Sequence, residues 1–189
     1  MIECVVFDLD GVIVDSEQVW DDVREQLVRE RNGRWHDGAQ AAMMGMSSPE
    51  WSRYMHDELG LPESPAEIND EVVHRMLERY RGSLPLIDAV LEGGGIAECF
   101  AVVVSSEEVA RGKPAPDVYL EAARRLGHQP ARCAAVEDSS NGLRAAHAAG
   151  MRVLAFPNAH YPPAPDALAL ADVVVRSLAE LTPELVRAA

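Results

Sequence analysis

Val5-Val6-Phe7-Asp8-Leu9-Asp10-Gly11-Val12 is the stretch on which the reading of this chain turns. The apolar run from Ile2 to Phe7 has the composition of a buried strand. It stops at two carboxylates, Asp8 and Asp10, and then at Gly11. A strand ending at Asp8 delivers that side chain to the carboxyl edge of a sheet, where open α/β sheets bind ligands. Gly11 permits a tight turn and close backbone approach, so Asp10 can fold back toward the same place. Two carboxylates this close repel unless a cation or a shared proton intervenes. A hard, oxygen-seeking ion such as Mg²⁺ suits them. Alone, the stretch also fits a plain strand followed by an acidic turn.

Beyond it the hydrophobic period changes to that of helices. Asp15 or Ser16 can cap a first helix carrying Val19, Val23 and Leu27, with Trp20 alongside, up to Asn32-Gly33. Ser48-Pro49 opens a second, with Trp51, Tyr54, Met55 and Leu59 on its apolar side. Ser64 and Glu67 form a capping box for a third, whose stripe is Ile68, Val72, Met76 and Tyr80, with Gly82 past its end. Residues 16–82 therefore read as a helical bundle inserted into a core made of residues 1–15 and 83–189. In that core, helices are expected over Pro85–Glu92, Pro116–Leu126 and Asn141–Ala149. Strands are expected over Phe100–Val104, Arg132–Val136, Met151–Phe156 and Asp172–Val175, and Thr182-Pro183 caps a last helix. Strands alternating with helices imply βαβ units and a parallel sheet, hence an α/β fold.

Composition narrows the function. The chain has 189 residues, enough for one domain with an insertion or two small ones. A formal charge of −14 argues against binding to a nucleic-acid backbone. The three cysteines are scattered in apolar surroundings, which fits reduced thiols in the cytoplasm. No basic segment followed by a long apolar run opens the chain, so neither a signal peptide nor a membrane span is expected.

Two further motifs belong with Asp8 and Asp10. Gly112-Lys113-Pro114-Ala115-Pro116-Asp117 is a loop in which two prolines restrict where Lys113 can go. Val136-Glu137-Asp138-Ser139 is another acidic pair at the end of a strand. Separately, these read as a solvated loop charge and a helix N-cap. Together they supply the parts for phosphoryl transfer: one carboxylate to attack phosphorus, a second to move a proton, a lysine to neutralise oxygen charge, and carboxylates to hold Mg²⁺.

Those three ordered motifs resemble motifs one, three and four of the haloacid dehalogenase superfamily, and the helical insertion resembles the cap of its β-phosphoglucomutase-like branch. The resemblance implies a Rossmann-like parallel core with an inserted α-helical cap, and Mg²⁺-dependent phosphoryl transfer through an aspartyl-phosphate. Carried over by position, it makes Asp8 the nucleophile and a metal ligand. Asp10 becomes the general acid/base, its backbone carbonyl also facing the metal. Lys113 bridges nucleophile and phosphate, Asp138 is a metal ligand, and Glu137 assists directly or through water.

The chain departs from the family pattern in two places. No strand carrying the Thr or Ser of motif two is readable before Phe100; a unit of roughly 30 residues, about one βα with its connections, is missing. Ser83 and Ser105 are the nearby hydroxyls. In β-phosphoglucomutase itself, a histidine stands where this chain has Trp20, and a phosphate-binding arginine where it has Ser48; Arg53 lies nearby. The expected function is a Mg²⁺-dependent phosphatase of a small phosphorylated metabolite, a sugar phosphate in the sense of the branch it resembles. A sugar phosphomutase is the near alternative, and a phospho-acceptor module or a catalytically impaired relative the distant ones. A dehalogenase is disfavoured because it has no need of Asp10. A monomer is expected.

Overall fold

The computed structural model describes residues 1–13, 16–83 and 100–187. They form two compact units. One comprises Met1–Asp15, Ala41–Ser47 and Val104–Ala189, the other Ser16–Gln40 and Ser48–Val103.

The first unit is built on a four-stranded parallel sheet: β1 (Cys4–Phe7), β2 (Cys133–Glu137), β3 (Arg152–Ala155) and β4 (Val173–Val174), in that spatial order. Phe7 pairs with Val136, and Glu137 with Ala155, so the strands stop along one edge. Every residue of β2 is buried. Its side chains alternate between the two faces. Cys133 and Ala135 pack with Tyr119, Leu143 and Val153, whereas Ala134 and Val136 pack with Val12, Leu154 and Val186. Both faces are thus covered, as a parallel sheet requires. The expected burial of the first strand is only half realised. β1 is partly buried and Phe7 is 37% exposed; among the described residues β1 lies at the end of the strand order.

Between strands run α5 (Asp117–Leu126) and α6 (Ser140–Ala148), closed by Gly127 and Gly150 at φ +74° and +75°. A left-handed residue at that place favours glycine and ends a helix cleanly. Short helices α7 (Pro165–Leu168) and α8 (Pro183–Arg187) complete the unit. Thr182 Oγ accepts from the Leu185 amide at 3.2 Å, which is the expected cap.

In the second unit, α1 (Glu17–Glu30), α3 (Ser48–Asp57) and α4 (Pro65–Ser83) are the expected helices. Val23, Leu27, Trp51, Met55, Leu59, Ile68, Val72 and Met76 are all buried, so the helical stripes point inward. Glu67 accepts from the Ser64 amide at 2.9 Å, completing the capping box.

Three expectations are corrected. α4 continues through Gly82 to Ser83, because one glycine costs a helix only about 1 kcal/mol. A short helix, α2 (Ala39–Met43), was not legible, being too brief to show a period. Phe100–Val104 is not a strand. Its backbone joins no ladder among the described residues, and Val103 is 61% exposed. Apolar composition makes a strand only where a neighbour takes up its hydrogen bonds. The expected helix over Pro85–Glu92, and the glycines after it, lie outside the described residues.

Candidate active site

Asp8 follows the last residue of β1, and its amide still donates to the Val136 carbonyl at 3.0 Å. Glu137 is the last residue of β2, and the Phe156 amide donates to its carbonyl at 2.7 Å. Parallel pairing in register therefore brings Asp8, Glu137 and Asp138 to one edge, although 129 positions separate the first two. One oxygen from each of these three carboxylates lies within 4.8 Å of the others.

Lys113 enters this group from the loop before α5, where Ala115 donates to the Gly112 carbonyl at 3.0 Å and the Lys113–Pro114 peptide is cis. Its Nζ donates to Asp8 Oδ1 at 2.8 Å and to Glu137 Oε1. Lys113 is 8% exposed, so its charge is almost fully withdrawn from water. Burial alone would weaken its hold on the proton. Asp8 and Glu137 outweigh that and keep its pKa well above the ordinary lysine value. The amine is thus a permanent cation at any physiological pH.

Glu137 has no exposure and is closely surrounded by donors. It accepts from Lys113 Nζ and Tyr119 Oη, from Ser139 Oγ at 3.3 Å, and from the Asp138 and Ser139 amides at 3.2 and 3.4 Å. Burial, followed by the charge of Asp8, pushes its pKa up, while Lys113 opposes the rise. Gly142 makes room for it: a Cβ there would stand 2.0 Å from the Glu137 carboxylate. Ser139 caps α6 by accepting from the Gly142 amide at 3.1 Å.

The turn after β1 is equally tight. Gly11 has φ +79°, and a Cβ on it would stand 2.0 Å from Asp138 Oδ2. The close approach expected of this glycine is therefore made against Asp138. Asp10 sits in that turn, partly buried, one residue earlier. The side chains clustered at the edge are those of Asp8, Glu137, Asp138 and Lys113.

Two contributors were not picked out from the sequence. Tyr119, on the first turn of α5, is buried, and its hydroxyl donates to Glu137. Asn158, beyond β3, donates to Asp138 Oδ2 at 3.4 Å, and its own Oδ1 accepts from the His160 and Tyr161 amides. The signal for Asn158 was a polar residue just past a third strand end; Tyr119 looked like any other apolar helix position. Of the alternative hydroxyls, Ser105 Oγ accepts from the Glu107 amide at 3.2 Å within a capping box, and the side chain of Ser83 lies outside the described residues.

Three acidic oxygens within 4.8 Å of one another, on strand ends, could hold a hard divalent cation. Among the described residues no helix is long and apolar enough to cross a membrane.

The chain is similar to several known proteins. Residues 81–150 match haloacid dehalogenase-like hydrolases. Fructose-1-phosphate phosphatase YqaB of Escherichia coli is 30% identical, over 78% of this chain and 92% of its own. The bifunctional riboflavin kinase/FMN phosphatase of Arabidopsis thaliana is 29% identical over 94% of this chain, which spans 54% of that protein's length. Their alignment runs 207 positions, longer than the 189-residue chain, so that relative carries residues without a counterpart here. The crystal structure of β-phosphoglucomutase from Clostridium difficile superimposes with a TM-score of 0.82 at 22% identity, covering 98% of this chain and 95% of its own.

Proposed function

This chain belongs to the haloacid dehalogenase-like hydrolase family, and we propose that it is a Mg²⁺-dependent phosphatase of a small phosphorylated metabolite, of the sugar phosphate kind. The observation that carries this reading is the Lys113 ammonium 2.8 Å from Asp8 Oδ1, beside a cluster of three carboxylates. An amine held there pairs with the nucleophile before reaction and with the phosphoryl oxygens during it.

Asp8, Glu137 and Asp138, with the backbone of Asp10, would hold the ion. When bound, Mg²⁺ neutralises crowded negative charge and polarises phosphate oxygens. The remaining chemistry belongs to the chain. An Asp8 oxygen attacks phosphorus in line, forming the acyl phosphate as the bond to the leaving oxygen breaks. Asp10 gives that oxygen its proton, then takes one from the water that attacks the acyl phosphate and releases inorganic phosphate. Glu137 and Tyr119 keep Lys113 in place throughout. The helical insertion over residues 16–82 is the candidate cap that would gate substrate entry.

Asp8→Asn tests the reading: turnover of a generic aryl phosphate should vanish, and activity equal to wild type would refute it. Adding β-glucose 1-phosphate with its bisphosphate separates the mutase alternative. Ser48 at the place of a phosphate-binding arginine, and Arg53 on an exposed face, favour hydrolysis, since water needs no second phosphate site. One stoichiometric phosphorylation without turnover would point to an impaired relative or a phospho-acceptor.

A further inference from the structure

The helix that begins at the acidic pair has a second task. Asn141 is the second residue of α6. Its Nδ2 donates to the Met44 carbonyl at 2.8 Å and reaches the Ala42 carbonyl at 3.4 Å. Both carbonyls lie in or just past the last turn of α2, where the helix leaves acceptors without partners of its own. They belong to Ala41–Ser47, the short segment grouped with the sheet unit although its chain neighbours on both sides are grouped with the helices. The amide of Asn141 thus crosses 97 residues of sequence to hold that segment.

What the segment rests on gives the contact its meaning. Gly45 has φ +75°, and a Cβ there would stand 3.2 Å from Lys113 Cδ, 3.4 Å from Lys113 Cβ and 3.5 Å from Asn141 Cβ. The backbone at Gly45 therefore lies against the aliphatic stem of the lysine. Met43, Met44 and Ser47 are buried. A lysine is a point charge on a flexible four-carbon stem. Asp8 and Glu137 fix its ammonium end; the stem needs a wall of its own.

We propose that Asn141 is a positioning residue whose side-chain amide clamps residues 41–47 onto the Lys113 stem, so that the ammonium stays on Asp8. The proposal rests on the phosphatase reading for its effect on rate, but not for the clamp itself. Asn141→Asp keeps the shape while turning an acceptor toward two carbonyl oxygens. Asn141→Ala only removes the donor. If the aspartate variant fails to fold, the alanine variant carries the test.

Two measurements on the full chain with Mg²⁺ present decide the matter. Hydrogen exchange of the peptide covering residues 41–47 should quicken about tenfold in Asn141→Ala, with β2 and α4 unchanged. The kcat for an aryl phosphate should fall between about tenfold and a hundredfold, the range for a misplaced reacting group, with melting temperature close to wild type. Exchange that stays as in wild type, or quickens throughout, overturns the clamp. Faster exchange at 41–47 with unchanged kcat overturns the positioning role. A wild-type chain without phosphatase activity defeats the proposed function, and the exchange result still decides the clamp.

Discussion

Among the described residues each unit buries one cation, and the contacts around the two differ in kind. In the helical unit the guanidinium of Arg24 lies 4.6 Å from the ring centre of Trp20 and 4.8 Å from that of Trp51. It also donates to Gln40 at 3.2 Å, which in turn donates to Glu17 at 2.9 Å. The rings themselves meet edge to face at 6.2 Å. In the sheet unit Lys113 is held by two carboxylates, with the Tyr119 ring 5.3 Å away. Two indole faces and the Gln40 side-chain oxygen contact the Arg24 guanidinium, whose plane suits such packing. Carboxylates take Lys113 at its tip and leave nucleophilic oxygen beside it. The difference teaches that burial of a charge marks chemistry only when its partners are themselves reactive groups.

The largest expected effect removes the reactive partner. Asp8→Asn should lower kcat for an aryl phosphate by about a thousandfold or more, as losing a nucleophile does. Asp10→Asn should spare some phosphoenzyme formation, read by labelling with radioactive phosphate. Chelation should silence the wild type reversibly, with Mg²⁺ restoring it.

The two cations separate next. Lys113→Ala should cost about 10²-fold in kcat, the scale of one oxyanion donor. In metal-free protein at neutral pH it should also destabilise by about 3 kcal/mol, since Glu137 is left charged and buried. The pH dependence has a definite sign. Burial already raises the folded pKa of Glu137, and losing Lys113 raises it further. Stability is then fullest below the unfolded carboxyl value and is lost as pH rises through the folded one, so acid should partly restore the variant. Denaturant titration at two pH values checks this. Arg24→Ala should instead act on stability, by about 1–3 kcal/mol for the lost ring contacts. Equal kinetic damage from both variants would break the comparison.

Steric changes sharpen it further. Gly142→Ala and Gly11→Ala place a methyl 2.0 Å from Glu137 and Asp138 oxygens respectively. Each should lower kcat by roughly tenfold or more, by shifting a carboxylate on the order of 1 Å. The smallest effect is on the surface. Arg124, then Arg125, hold the partly buried Glu121 carboxyl at about 2 rather than 4.5. The stability it adds is present above 4.5 and lost as pH falls toward 2. Glu121→Gln should flatten that small slope at low salt, and added salt should erase the difference.

Part of the site was legible because its chemistry is local. Asp8, Glu137 and Asp138 each stand at the end of an apolar run, and a run of that kind announces where a strand stops. The Ser64–Glu67 capping box, Gly11 and the glycines closing α5 and α6 were readable for the same reason, that a turn conformation or a helix end is decided by the residues that form it; the expected cap at Ser16 fails, since its side chain makes no capping hydrogen bond. Phe100–Val104 was misread because its apolar residues carry no information on whether a neighbouring strand exists. Tyr119, Asn158 and Asn141 were invisible because their partners are chosen across long stretches of chain.

By itself, the sequence determined the residue types at the strand ends, the helical character of residues 16–82, and the sign of the charge that a ligand must tolerate. These follow from side-chain chemistry and local period. Tertiary structure alone decided that Lys113 lies on Asp8, that Glu137 is encased by donors from three directions, and that residues 41–47 group with the sheet unit rather than with the helices that flank them. Register and packing join positions more than a hundred residues apart, and no neighbouring residue in the chain encodes such a meeting.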